Sequence, residues 1–200
     1  KLHEMLHLFT ETALQIDEGQ QYDMEFETRN DVTEAEYIEM IRLKTSVLLA
    51  CATKMGALLA DAPQQDAQQL YRFGELVGLT FQLQDDLLDV YGDPKVFGKA
   101  IGGDITSNKK TYMLINAFLH ANDQQREELT RWITAKEFDK QEKIEAVTRL
   151  YNEIGIRQLC EQKINTYFEE SLKCLESIPL PAERKEELRL YVLEMMKREK

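Results

Sequence analysis

Between Phe81 and Asp89 the chain reads Phe-Gln-Leu-Gln-Asp-Asp-Leu-Leu-Asp. On a helix, Asp85 and Asp89 stand one turn apart on one face, Asp86 sits three residues before Asp89, and Gln82 lies a turn earlier on the same side. Like charges at that spacing repel by roughly 0.2–0.5 kcal/mol per pair on an exposed helix. No Lys or Arg falls between Gln82 and Tyr91 to offset them, so positive charge has to come from elsewhere in the fold. Hard carboxylate oxygens on one or two turns, with coordination positions left open, suit a magnesium ion shared with substrate phosphates. A solvated acidic face is the plainer reading of such a run. The apolar positions around it, Leu76, Val77, Leu83, Leu87 and Val90, weigh against that, because they bury the helix and a buried carboxylate cluster without partners is costly.

Two other stretches carry cations. Gly98-Lys99-Ala100-Ile101-Gly102-Gly103-Asp104 is followed by Asn108-Lys109-Lys110-Thr111. Lysines on a Gly-rich loop and at the start of the next helix can reach phosphate oxygens, and the glycines allow close backbone approach. A nucleotide P-loop does not fit, because Lys99 is followed by Ala, the glycine spacing is wrong and a helix comes first. The third element, Lys44-Thr45, lies within an otherwise apolar helix beside Met40, Ile41, Val47, Leu48 and Ala52. Singly, each of these lysines reads as a surface or snorkelling side chain. In combination they gain weight, because a cation beside a hydroxyl donor, as in Lys44-Thr45, suits a diphosphate and could stabilise charge developing near it.

The elements that must hold these residues are helical. Leu, Ala, Glu, Gln and Lys abound, while Gly and Pro number nine and four, so an all-α fold is expected. Leu2, Met5, Leu6, Phe9, Ala13 and Ile16 mark an amphipathic helix in progress at the first residue, which suggests a fragment of a longer chain. Gly19 interrupts that pattern and is expected to open an irregular segment from Glu18 to Asp31. Thr33 and Glu36 form a capping box for a second helix, roughly Glu34 to Ala60. A third helix follows Pro63 and Asp66, carries the aspartate motif and ends at Gly92-Asp93-Pro94. Pro94 to Asp104 reads as loop. Helical periodicity resumes near Thr106, with breaks at Asn122, Glu137 to Asp139, Gly155 and Pro179 to Pro181. The final helix ends in Arg198 and Lys200, favourable at a helix C-terminus. No linker or repeat divides residues 1–200, which read as part of one domain.

Composition narrows the function classes. A formal charge of −11 gives no basic excess for a nucleic-acid backbone, although a few lysines and a cation can still make a local anion site. Cys51, Cys160 and Cys174 have no metal-ligand spacing and read as buried thiols in a reducing compartment. The longest apolar stretch, Val47 to Ala60, contains Lys54 and is too short to span a bilayer, which takes about 20 apolar residues. With no signal-peptide pattern ahead of it, a cytoplasmic protein is expected.

Taken in order, Glu18-Gly19-Gln20-Gln21-Tyr22-Asp23, Lys44-Thr45, the Phe81 to Asp89 stretch, Gly98 to Asp104 and Asn108 to Thr111 resemble five signatures of the trans-isoprenyl diphosphate synthases. The resemblance spans essentially the whole chain and implies the C-terminal portion of an isoprenoid-synthase-type helical bundle. It implies a magnesium-dependent prenyltransferase that ionises an allylic diphosphate, lets isopentenyl diphosphate attack the carbocation and loses a proton. On this resemblance Asp85, Asp86 and Asp89 form the second aspartate-rich motif, Asp85 being the foremost direct magnesium ligand. Lys44, Thr45, Gln82, Lys99 and Lys109 match positions that contact the allylic diphosphate, so Lys44, Thr45 and Asp85 carry the catalytic expectation. Gln20 and Asp23 fall near the site by the same analogy, with a structural role as cap and hinge equally open. The helix from Leu2 to Ile16 resembles part of the family's dimer interface, which implies a homodimer.

The family's first aspartate-rich motif and its basic patch for isopentenyl diphosphate would precede Lys1 and are absent from this sequence. The 200 residues alone are therefore expected to be inactive, and product chain length is not legible. A terpene cyclase of the same fold would carry a different metal pattern on the third helix. A non-catalytic subunit of a hetero-oligomeric synthase is the competing reading from another class.

Overall fold

The computed structural model describes residues 1–93 and 101–197. In chain order the helices are α1 (Leu2–Thr28), α2 (Glu34–Ile41), α3 (Val47–Leu59), α4 (Gln64–Tyr91), α5 (Gly103–Thr106), α6 (Tyr112–His120), α7 (Asp123–Thr134), α8 (Lys140–Ile154), α9 (Ile156–Glu176) and α10 (Ala182–Met196). No strand occurs among the described residues, as the composition predicts. A π-helical turn, Arg42–Ser46, joins α2 to α3 without a break.

The organising element is α4, packed against α3 on one side and α9 on another. From Phe73 to Thr80 every residue is buried, including Glu75, so the helix is enclosed all round over two turns. Glu75 is accommodated because Arg42 donates to it at 3.1 Å and Arg72 is hydrogen-bonded to its other oxygen. Beyond Thr80, Leu83, Leu87 and Val90 join Tyr37, Met40 and Ile41 of α2, Met113 and Ile115 of α6, and Leu150, Ile156 and Ile164 of α8 and α9 in the main core. A second core joins Phe73 and Val77 to Leu175, Ile178, Val192 and Met195.

The expected capping box is present, with Thr33 Oγ1 accepting from the Glu36 N–H at 3.2 Å and Glu36 Oε2 accepting from the Thr33 N–H at 2.8 Å. Breaks fall at the Asn122 cap, before Asp139, at Gly155 and before Ala182, as read. Gly92 follows the last residue of α4. Arg198 and Lys200 lie outside the described residues.

Three expectations need correction. Gly19 does not end the first helix, which runs on to Thr28. A Cβ at Gly19 would stand 2.3 Å from the Lys44 backbone nitrogen, and one at Gly78 of α4 would stand 2.5 Å from Ser46 Cα. The glycine is there so that α1 can lie directly on the π turn, a packing reason that periodicity does not record. Gly103 and Asp104, expected in the loop, instead open the short helix α5, and α6 begins only at Tyr112. Cys51 and Cys160 are buried thiols, but Cys174 is half-buried.

Candidate active site

A π turn carries one more residue per hydrogen-bonded loop than an α turn, and such turns cluster at functional sites. Here the turn contains Lys44 and Thr45, pinned between Gly19 of α1 and Gly78 of α4. Lys44 does not snorkel away. Its Nζ donates to Asp23 Oδ2 on α1 at 2.6 Å. Thr45 Oγ1 donates to Gln82 Oε1 on α4 at 3.3 Å, and Gln82 Nε2 reaches Asp86 Oδ1 at 3.4 Å. Asp23, Tyr37, Met40, Ile41, Lys44, Gln82 and Lys109 line a single small cleft. Residues from α1, the π turn, α4 and the segment before α6 thus meet at one place. The cations that the aspartate motif lacks locally are supplied across the fold.

The three aspartates diverge in environment. Asp86 is buried, 1% exposed, and receives a hydrogen bond from the Tyr37 hydroxyl. Burial raises its pKa to about 7, opposed by the Tyr37 hydrogen bond and the charge of Lys109. Tyr37 is pushed well above the usual phenol range, first by burial and then by the Asp86 charge. Asp89 is half-buried, and its Oδ2 accepts from the Asp104 N–H at 2.9 Å while its carbonyl accepts from the Gly102 N–H at 2.6 Å. Gly102 makes this possible in the left-handed region at φ 83°. Asp85 is half-buried on the same helix turn. Lys109 forms an ion pair with Asp104 at 3.5 Å. Burial acts to lower the Lys109 pKa, but the charges of Asp86, Asp104 and Asp23 outweigh it and hold the ammonium form. Burial raises the Asp104 carboxyl, against the pull of Lys109.

The structure therefore brings Lys44, Thr45, Gln82 and Lys109 together, with the aspartate turn alongside. Lys99 lies outside the described residues. Gln20 is exposed on α1, whereas Asp23 is in the cleft. Tyr37 and the bonding role of Asp104 escaped the sequence reading. Tyr37 looks like any aromatic on a buried helix face, and its hydroxyl partner is 49 residues away.

Among the described residues no three His, Cys, Asp or Glu side chains are grouped so as to hold a metal ion by themselves. That donor set still fits magnesium, which usually takes one or two carboxylates and completes its octahedron with water and substrate phosphate. Asp85 and Asp89 carry hard oxygens one turn apart, Asp89 also accepting from the Asp104 N–H through Oδ2, while Asp86 is engaged by Tyr37 and Gln82.

A family model described as polyprenyl synthetase matches residues 1–151. Geranylgeranyl diphosphate synthase of Methanosarcina mazei is 47% identical over 113 residues, 56% of this chain and 35% of the relative. The matched stretch thus covers well under two thirds of that relative's length. A solved geranylgeranyl pyrophosphate synthase superposes with a TM-score of 0.91 at 38% identity, covering 99% of this chain and 62% of the other. The Corynebacterium glutamicum geranylgeranyl pyrophosphate synthase, solved with isoprenyl diphosphate and magnesium, gives a TM-score of 0.88 at 26% identity over 98% of this chain and 56% of its own. Because the polyprenyl synthetase model matches residues 1–151, well over half of the chain and every residue of the cleft, this chain belongs to the polyprenyl synthetase family.

Proposed function

We propose that this chain forms the diphosphate-ionising wall of a trans-prenyltransferase that condenses isopentenyl diphosphate with an allylic diphosphate. The observation that carries the reading is the convergence of Lys44, Gln82 and Lys109 in one cleft, with Gln82 on the same helix that carries Asp85 and Asp89. Lys44 and Lys109 arrive already neutralised by Asp23 and Asp104. A diphosphate competes for both ammonium groups, and each lysine then stabilises the negative charge that grows on the leaving group as the allylic C–O bond breaks. Thr45 and Gln82 orient the same oxygens, and Lys99 belongs with them by the family resemblance. Magnesium held by Asp85 and Asp89 would add Lewis-acid neutralisation of the departing pyrophosphate. Asp86 steadies the helix turn through Tyr37. A relative solved with isoprenyl diphosphate and magnesium supports both the ligand class and the metal.

In this proposal residues 1–200 are the C-terminal portion of one isoprenoid synthase domain, and the isopentenyl diphosphate site lies on the part that longer relatives carry. The chain by itself is then inactive. A cytoplasmic homodimer associated through α1 completes the reading. No helix among the described residues is long and apolar enough to cross a membrane. The test supplies isopentenyl diphosphate, a five-, ten- or fifteen-carbon allylic diphosphate and magnesium, and identifies products by mass. It compares the 200-residue chain with a protein joining it to the remaining portion of a synthase fold. Product from the joined protein that is lost with chelator and in Asp85→Asn supports the proposal. Turnover by the 200 residues alone, or none by a folded joined protein, refutes it.

A further inference from the structure

Behind the cleft, Lys143 of α8 is fully buried, 0% exposed. Its ammonium donates to Asn108 Oδ1 at 2.6 Å and stands 4.2 Å from the centroid of the Phe138 ring. Burial pushes its pKa down. A Met or Leu would fill the same space without the desolvation cost of an ammonium, so what the lysine contributes that an apolar residue cannot is the hydrogen bond to Asn108 and the charge held over the Phe138 ring.

Asn108 is held at both ends of its amide, since its Nδ2 donates to the Ile133 carbonyl at 3.0 Å. Its backbone lies in the left-handed region, φ 55°, which Asn tolerates better than most residues. The next residue is Lys109, whose N–H donates to the Asp104 carbonyl at 3.0 Å and whose carbonyl accepts from the Thr111 N–H at 2.9 Å. The turn is thus clamped from the core side by Lys143 and Asn108, and it presents Lys109 on the cleft side.

We propose that Lys143 is a positioning residue for the diphosphate-binding lysine, acting through Asn108 to fix the turn that aims Lys109 into the cleft. The inference rests on the reading of that cleft as a diphosphate site. A lysine displaced by about an ångström loses much of its grip on a fixed anion, so roughly a tenfold weakening is expected.

The probe is inorganic pyrophosphate with magnesium, titrated calorimetrically into the chain and into Lys143→Met, Asn108→Gly and the double variant. Amide hydrogen exchange at Lys109 and Thr111 is followed without ligand. Each single variant should bind roughly tenfold more weakly, the double no worse than either, with faster exchange at Lys109 and Thr111 and unchanged protection along α8. Wild-type affinity and exchange in Lys143→Met would overturn the inference. Should Lys143→Met fail to melt cooperatively, Asn108→Gly decides, because it removes the acceptor at a half-buried turn and leaves the core filled; wild-type behaviour there has the same overturning force. If the unmutated chain takes up no pyrophosphate, the diphosphate reading falls and the role of Lys109 with it. The exchange comparison then reports separately whether Lys143 holds the turn.

Discussion

Asp86 shows how one residue type serves two purposes within a single motif. Its neighbours Asp85 and Asp89 are half-buried, but Asp86 faces inward to Tyr37. With a folded-state pKa of about 7 against an ordinary 3.8, the folded protein binds more protons than the unfolded chain between roughly pH 4 and 7. The stability from this group is complete below about pH 4 and is lost as pH rises toward 7. Asp86→Asn keeps an acceptor for Tyr37 and removes the charge. Its urea midpoint is expected to match the wild type at about pH 3.5 and exceed it at pH 8, by at most roughly 4 kcal/mol in stability. A variant weaker than wild type at pH 8 would mean that the carboxylate, not the acid, is the preferred partner. Lys44 is a different case, because its pairing with Asp23 is half-exposed and easily exchanged for a phosphate. Lys44→Met should weaken magnesium pyrophosphate binding roughly 10- to 100-fold, the range for losing a charge-assisted hydrogen bond of about 1.5–3 kcal/mol. Calorimetric titration measures this directly.

The π turn is the element on which the site depends, and it is kept in place by contact of helix backbones. A Cβ at Gly19 would fall 2.3 Å from the Lys44 nitrogen, and this close atom is backbone that cannot rotate away. Gly19→Ala is expected to destabilise the chain by about 1–3 kcal/mol, the usual cost of overpacking, and to shift Lys44 away from Asp23. Gly56, exposed in α3 with no atom within 4 Å of the place a Cβ would take, provides the control. Gly56→Ala should raise stability by about 0.4–1 kcal/mol through the entropy of the unfolded chain. Denaturant melts of the two variants therefore move in opposite directions. Equal and small effects would show that α1 yields at Gly19.

At the scale of the whole molecule, α1 packs inward through Met5 and Leu8 but leaves Leu2, Leu6 and Phe9 at 74%, 55% and 56% exposure. Those three recur at spacings of four and three, a continuous apolar stripe on the outer face of the helix. Sedimentation velocity is expected to find the chain self-associated at micromolar concentration. Phe9→Glu should shift it toward monomer with an unchanged melting curve measured at low concentration. A wild-type chain that sediments as monomer would remove α1 as the proposed dimer face.

The sequence by itself determined the helical class, the capping box at Thr33, most helix breaks and the presence of Lys44, Thr45, Gln82, Lys109 and the aspartates in an order resembling one family. These are local properties, set by propensity, by side-chain period and by motifs of a few residues. It misjudged Gly19, because a glycine that breaks a helix and one that lets a second helix touch it look alike until both backbones are placed. It grouped Asp86 with Asp85 and Asp89, because spacing gives a common face but not which neighbour occupies it. Only the tertiary structure decided that Tyr37 takes Asp86, that Asp104 and Gly102 take Asp89, and that Lys109, 65 residues from Lys44, closes the same cleft. The reason is physical: charge compensation and burial act through space, between groups that folding brings within a few ångströms of each other.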